Sequence, residues 1–306
     1  MSVAEHPFKI KVTPLANDFG AVVSEVEYRQ PLSTGVAEQL NQLLLNYQVL
    51  CLRSVSLSAY EFDRLGRIFG EPQIQLLREH RHPECETVSV FDSTYKTKQS
   101  KPHDLNLDRR SGWHTDDSYF QTPAKITLLQ ALAIPSSGGQ TKFCDARRAY
   151  ETLPADKQEY FAGLLAIHSY NTQRAPARAV TRTAAEAAET PDVMHPLIRT
   201  HDETRRKAIY FNSNRTDRID GLARDESDRI LDDIHRHMTQ VDFQYHHHWQ
   251  IGDILVWDNR SVTHSVNMDF PVGETRIHQR LLLAGGTPVS SVRVLNRHQF
   301  GHSLGV

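Results

Sequence analysis

The sequence predicts a mainly β domain with flanking helices, folded as a double-sheet barrel. Three observations lead there: short β-like runs recur along the chain, Gly/Pro turns separate them, and only a few segments carry helical periodicity. No repeat, low-complexity tract or shift in composition divides the 306 residues, so one domain is expected over 1–306, with its core at about 10–288.

The opening segment offers β-like runs at Phe8 to Val12 and Ala21 to Val23. After Ser33-Thr34-Gly35, the apolar residues Val36, Leu40, Leu43 and Leu44 recur at helical spacing and lead into the strand-like run Val49-Leu50-Cys51-Leu52. A second helix follows Ser58, carries Tyr60, Phe62, Leu65 and Phe69, and has Gly70 as its expected stop.

A β-like run from Thr87 to Phe91 gives way to a polar stretch without periodicity, and a lid-like loop is expected at about 92–112. Lys125 to Ala133 is again β-like, is broken by Pro135-Ser136-Ser137-Gly138-Gly139, and resumes from Gln140 to Cys144. Leu153-Pro154 opens a helix expected to reach about Leu165, and Asp225 to Met238 forms a charged amphipathic helix. The remaining β-like runs are Ala208 to Phe211, Phe243 to Trp249, Asp253 to Trp257 and Gln279 to Ala284.

Charge excludes some functions. With 35 Lys+Arg against 37 Asp+Glu, the formal net charge is -2, and no basic field exists to collect a nucleic acid. No secretory pattern opens the chain and no apolar run is long enough to span a bilayer, so no membrane partner and a cytoplasmic location are expected. The three cysteines, Cys51, Cys85 and Cys144, lack CxxC spacing, which argues against a disulfide framework or a cysteine zinc site. A small-molecule substrate is the expected partner, and self-association into a homo-oligomer is left open.

The sharpest local signal is Trp113-His114-Thr115-Asp116. On an extended strand, residues two apart project to the same face, so the His114 imidazole and the Asp116 carboxylate can reach one ion. His264, which follows the strand Ile254 to Trp257 and the polar Asp258-Asn259-Arg260, is the best third ligand. Two imidazoles and one carboxylate leave open coordination positions, as in non-haem Fe(II) oxygenases, whereas a structural zinc site closes its fourth position. Arg276 supplies a guanidinium able to grip a carboxylate through two hydrogen bonds, and Arg280 shares its face if the segment is a strand. The run His246-His247-His248 is expected to hold core and surface imidazoles, because alternate residues diverge on a strand and no carboxylate partner is apparent.

These residues resemble the taurine dioxygenase and 2,4-dichlorophenoxyacetate dioxygenase (TauD/TfdA) family of Fe(II)/2-oxoglutarate-dependent oxygenases. The likeness runs from about residue 10 to about residue 288 and rests on several pieces in family order. They include Phe69-Gly70-Glu71, Trp113-His114-Thr115-Asp116, the Pro135 to Thr141 turn, His195 to His201, Trp257-Asp258-Asn259-Arg260 and Arg276-x-x-x-Arg280.

The resemblance implies a double-stranded β-helix (jelly-roll, cupin-like) core, with Fe(II) on His114, Asp116 and His264, and 2-oxoglutarate and O2 as co-substrates. It implies further that Thr141 hydrogen-bonds 2-oxoglutarate, that Arg276 pairs with its distal carboxylate, and that Arg280 lies between co-substrate and primary substrate. Related halogenases carry a small residue where Asp116 stands, so hydroxylation is favoured. Desaturation, cyclisation or C–heteroatom cleavage remain alternatives with the same cofactors. A ligand sensor or a zinc hydrolase would need no 2-oxoglutarate clamp.

The substrate side departs from the taurine pattern. Gln75 and Arg78 replace a histidine and a tyrosine, Arg110 replaces an asparagine, and Arg215 stands where the family pocket has an aromatic. Together with Asp117 and Arg280, these are the candidate substrate-binding residues. Convergent arginines imply an anionic or polar organic substrate, since a buried unpaired guanidinium is costly.

Overall fold

The computed structural model describes residues 10–53, 56–76, 78–94, 112–174 and 182–290. Strands β1 (Lys11–Pro14) and β2 (Ala21–Ser24) pair antiparallel, and helix α1 (Thr34–Tyr47) returns the chain so that β3 (Val49–Leu52) joins β2 in parallel. Ser33 caps α1 by accepting from the Val36 amide, and Gln48 closes it at φ 65°, donating its amide to Leu44 O. Helix α2 (Ala59–Gly66) opens with a reciprocal Ser58/Glu61 capping box. It ends at Gly66, before the expected Gly70 stop, and packs so closely that a Cβ on Gly66 would lie 2.0 Å from Leu281 Cδ2.

The chain continues through β4 (Pro72–Gln73), β5 (Arg81–His82), β6 (Cys85–Asp92), β7 (Ile126–Ala133) and β8 (Thr141–Asp145). Of the loop expected at about 92–112, only residues 92–94 and 112 lie among those described, and residue 92 ends β6. Then come α3 (Ala146–Glu151), α4 (Ala155–Ala162), β9 (Leu165–His168), α5 (Ala184–Ala188), β10 (Val193–Pro196), β11 (Ile198–Thr200), β12 (Lys207–Ile209) and β13 (Thr216–Ile219). Leu165 thus begins a strand, where the sequence placed the end of a helix. Helix α6 (Arg224–Met238) leads to β14 (Gln244–His247), β15 (Ile254–Asp258), β16 (Val262–Val266) and β17 (Ile277–Leu283).

Two sheets form the barrel. The large one runs β1-β2-β3-β15-β7-β17-β6-β5, with β4 on β17, and the small one runs β14-β8-β16. The fully buried strands β3 and β15 explain the continuous apolar runs in the sequence, because both their faces are covered. Leu50, Leu52, Ile254 and Val256 pack towards the core shared with α1 and α2, whereas Val49, Cys51, Leu255 and Trp257 meet Phe143 of the small sheet. A second core joins α3, α4 and α6 to strands inserted between β8 and β14. His264 lies on β16 of the small sheet and is bridged to His114, while Asp116 is bonded to Thr127 on β7 of the large sheet, so these residues sit between the two sheets.

Candidate active site

His114 and His264 face each other across one antiparallel bridge. The His114 amide donates to His264 O at 2.9 Å, the His264 amide donates to His114 O at 2.7 Å, and the ring centroids lie 4.1 Å apart. His114 Nδ1 is 2.7 Å from Gly112 O, a contact that assigns the proton to Nδ1 and leaves Nε2 as a lone-pair donor. Asp116 completes the group, with Oδ2 3.8 Å from His264 Nε2, and one ligand atom from each of the three residues lies within 4.8 Å of the others.

The carboxylate is held from several sides. Thr127 donates its hydroxyl to Asp116 Oδ2 at 2.7 Å, and Arg280 Nη1 donates to Oδ1 at 3.1 Å. Asn259 links the set: its Oδ1 accepts from Trp257 Nε1 and the Asp116 amide, its Nδ2 donates to Thr127 Oγ1, and its carbonyl accepts from Thr115. Burial raises the Asp116 pKa, but Arg280, then His264 and His114, and the Thr127 hydrogen bond outweigh it and bring the carboxyl down to about 2. Burial, His114 and Arg280 push His264 down to about 3 against the pull of Asp116. At neutral pH the site therefore offers a carboxylate and a neutral imidazole, the protonation states that metal coordination requires. Such a donor set suits a metal that keeps open positions.

Beside the triad lies a cavity of about 200 Å³ whose walls include Gln75, Phe91, Asp117, Tyr119, Tyr170, Arg215 and Arg280. Arg280 spans the two regions, donating to Asp116 on one side and to Gln75 Oε1 at 2.6 Å on the other. Arg215 stacks on Tyr119 and Tyr170, 5.0 and 4.6 Å from the ring centroids, and donates to Tyr170 O. Asp117 accepts from Gln73 Nε2 and the Tyr119 hydroxyl, and burial, with Asp116, lifts its carboxyl to about 6 against Arg280, Tyr119 and Arg215. Four of the six substrate-side residues thus share this cavity. Arg78 does not: its side chain is 62% exposed, 3.7 Å from Glu189, and outside the cavity lining. Arg110 lies outside the described residues.

Arg276 and Thr141 belong to a neighbouring region. Arg276, 5% exposed, donates Nε and Nη2 to Gly139 O and Nη1 to Ser93 Oγ. Gly138 and Gly139 both hold positive φ, and a Cβ on Gly139 would lie 3.2 Å from Arg276 Nε, so the turn admits the guanidinium closely. Thr141 is fully buried and accepts from Trp249 Nε1 at 3.1 Å.

The profile of the taurine catabolism dioxygenase TauD, TfdA family matches residues 11–282. The chain belongs to that family. As a TauD/TfdA member it is a 2-oxoglutarate-dependent dioxygenase, which uses 2-oxoglutarate, O2 and a metal ion. It is 30% identical over 263 residues to the alpha-ketoglutarate-dependent 2,4-dichlorophenoxyacetate dioxygenase of Cupriavidus pinatubonensis, covering 83% of this chain and 91% of that one. It is 26% identical over 310 residues to the alpha-ketoglutarate-dependent sulfate ester dioxygenase of Pseudomonas putida, covering 97% of each. Among solved structures, AAD-2 in complex with Mn(II) and N-oxalylglycine superposes with a TM-score of 0.75 at 27% identity, over 92% of this chain and 99% of that one. The common architecture is the jelly-roll core of TauD/TfdA dioxygenases. Among the described residues, no helix is long and apolar enough to cross a membrane.

Within this TauD/TfdA chain, sequence reasoning missed Thr127, whose hydroxyl is aimed at Asp116 only through the register of β7 with β15. Asn259 was visible only as part of a motif. The histidine run also needs correction on one point: His247 does have a carboxylate partner, Asp253, at 3.0 Å. Cys51 lies close to that pair, and Asp253 Oδ2 also accepts from Arg53 and the Gln250 amide, which ties the end of β3 and the turn before β15 to β14.

Proposed function

We propose that this chain is an Fe(II)-dependent hydroxylase of a small anionic or polar organic acid, acting as one catalytic domain. The observation that carries the reading is the convergence of His114, Asp116 and His264 beside a cavity lined by arginines. Two imidazoles and one carboxylate fit Fe(II) and would hold it with coordination positions to spare. The chemistry supplied by the metal when bound is activation of O2, in which 2-oxoglutarate yields succinate and CO2 while a substrate C–H becomes an alcohol.

The protein's own part is placement. Thr127, Asn259 and Arg280 hold the Asp116 carboxylate, and the Gly112 carbonyl orients the His114 ring. Arg276 and Thr141 would bind the distal carboxylate of 2-oxoglutarate, with Arg280 between it and the substrate. Arg215 and Asp117 would orient the substrate, Gln75 would steady Arg280, and Phe91, Tyr119 and Tyr170 would exclude water. Arg78 has no role in this arrangement.

The test is a panel of small carboxylates, sulfonates and sulfate esters incubated with protein, Fe(II), 2-oxoglutarate and O2, with succinate measured. The expected result is succinate formation stimulated by an anionic substrate and matched by hydroxylated product. Succinate formation stimulated only by neutral, apolar compounds would overturn the substrate class.

A further inference from the structure

Arg276 directly precedes β17, Arg280 lies within it, and a third polar group, His278, stands between them. Side chains two apart on a strand share a face, so His278 and Arg280 project together, while Gln279 turns away to Gln130 Oε1 and Leu57 O; Arg276 and His278 line one cavity. Phe91, directly opposite His278 on β6, lies under the Arg280 guanidinium, which places these groups on one side of the sheet.

His278 is 1% exposed, and neither ring nitrogen has a hydrogen-bond partner among the described residues. Buried polar atoms are almost always satisfied, so an imidazole with both nitrogens unmet calls for a missing partner. Its ring packs against Trp249, 4.6 Å between centroids at 67°, and the Trp249 indole donates to Thr141. Both His278 and Trp249 line, with Arg276 and Gly139, a cavity of about 180 Å³. Burial, Arg276 and His247 hold the imidazole well below its ordinary pKa, so it stands neutral with one N–H to give.

We propose that His278 is a further co-substrate-binding residue, donating a hydrogen bond to the distal carboxylate of 2-oxoglutarate beside Arg276 and Thr141. The proposal rests on the function proposed above. A carboxylate is the ligand that suits a guanidinium and an imidazole N–H lining one cavity, with the Thr141 hydroxyl next to it across Trp249.

The experiment compares 2-oxoglutarate with pyruvate, which lacks the distal carboxylate, by calorimetric titration of the Mn(II)-loaded protein. His278→Phe keeps a ring against Trp249 and removes both nitrogens. Its Kd for 2-oxoglutarate is expected to rise roughly tenfold while that for pyruvate stays unchanged, and His278→Gln recovers part of the loss. A readout that needs no variant is the His278 ring nitrogen resonance of the Zn(II)-loaded wild type, which should shift with 2-oxoglutarate and not with pyruvate. Equal 2-oxoglutarate affinity in wild type and His278→Phe, an equal loss for both ligands, or an unmoved resonance at saturation would overturn the proposal alone. A wild-type protein that binds Mn(II) but no 2-oxoglutarate would overturn the proposed function with it.

Discussion

Asn259 donates to Thr127 Oγ1 at 2.8 Å, and Thr127 in turn donates to Asp116 Oδ2 at 2.7 Å. The relay ties the tip of β15 to β7 and fixes the one carboxylate of the triad, so the Trp-Asp-Asn-Arg segment and the His-x-Asp segment are parts of one device. An anchored carboxylate loses little freedom when it takes a metal.

Asn259→Ala removes four side-chain hydrogen bonds, with Trp257, the Asp116 amide, Thr115 and Thr127, and leaves the Trp257 indole and the Asp116 amide without their acceptor. Metal affinity should fall by about 10- to 100-fold, with a smaller change in 2-oxoglutarate affinity measured at saturating metal. Titration with Mn(II) checks this, and unchanged affinity would mean that Asn259 only packs.

The histidine protonation gives a pH prediction. His264 is held down to about 3 when folded and returns to its ordinary value of 6.5 when unfolded, so between those values the unfolded chain binds more protons. Stability of the metal-free protein should therefore be present above about pH 6.5 and be lost as pH falls towards 3, where the folded imidazole also protonates. His264→Leu should flatten that dependence in denaturant unfolding measured across the window. An identical slope in both proteins would contradict the assignment of His264 as a buried neutral ring.

Much of this was legible. The β3 and β15 runs read as buried strands because both faces are covered, and the spacing of His114 and Asp116 is itself geometric information. Helix α3 was not legible: its Arg147 is 3% exposed, with Nη1 and Nη2 donating to Leu45 O and Asn46 O, so polar residues occupy buried positions and mask the periodicity. Strands β9 and β13 were hidden for a similar reason, with His168 and Thr216 fully buried among apolar neighbours. Arg78 could not be placed from sequence, because a short 3-10 turn at Arg78–His80 decides which way it faces.

Arg215 offers a substrate prediction. Arg215→Met keeps an unbranched side chain against Tyr119 and Tyr170 but removes the charge. The KM for an anionic substrate should rise roughly tenfold or more, while substrate-independent turnover of 2-oxoglutarate stays unchanged. Steady-state kinetics with and without substrate separate the two, and an unchanged KM would remove Arg215 from the substrate site.

Stability should depend on the buried Asp258, which accepts from Arg260 at 2.8 and 2.7 Å and lies 2.9 Å from His201 Nε2. Asp258→Ala leaves a guanidinium that is 1% exposed without its buried counter-charge and should cost about 3–5 kcal/mol in urea unfolding. A loss under about 1 kcal/mol would show that Asp202 and Glu203 suffice to satisfy Arg260.

His114, Asp116 and His264 are proposed to hold Fe(II) with 2-oxoglutarate beside it, clamped by Arg276. Anaerobic addition of Fe(II) and 2-oxoglutarate, followed by visible absorption, tests it most directly. The expected result is a weak charge-transfer band that is absent in His264→Ala and that needs far more 2-oxoglutarate to develop in Arg276→Ala. No band in folded, metal-loaded wild-type protein would contradict it.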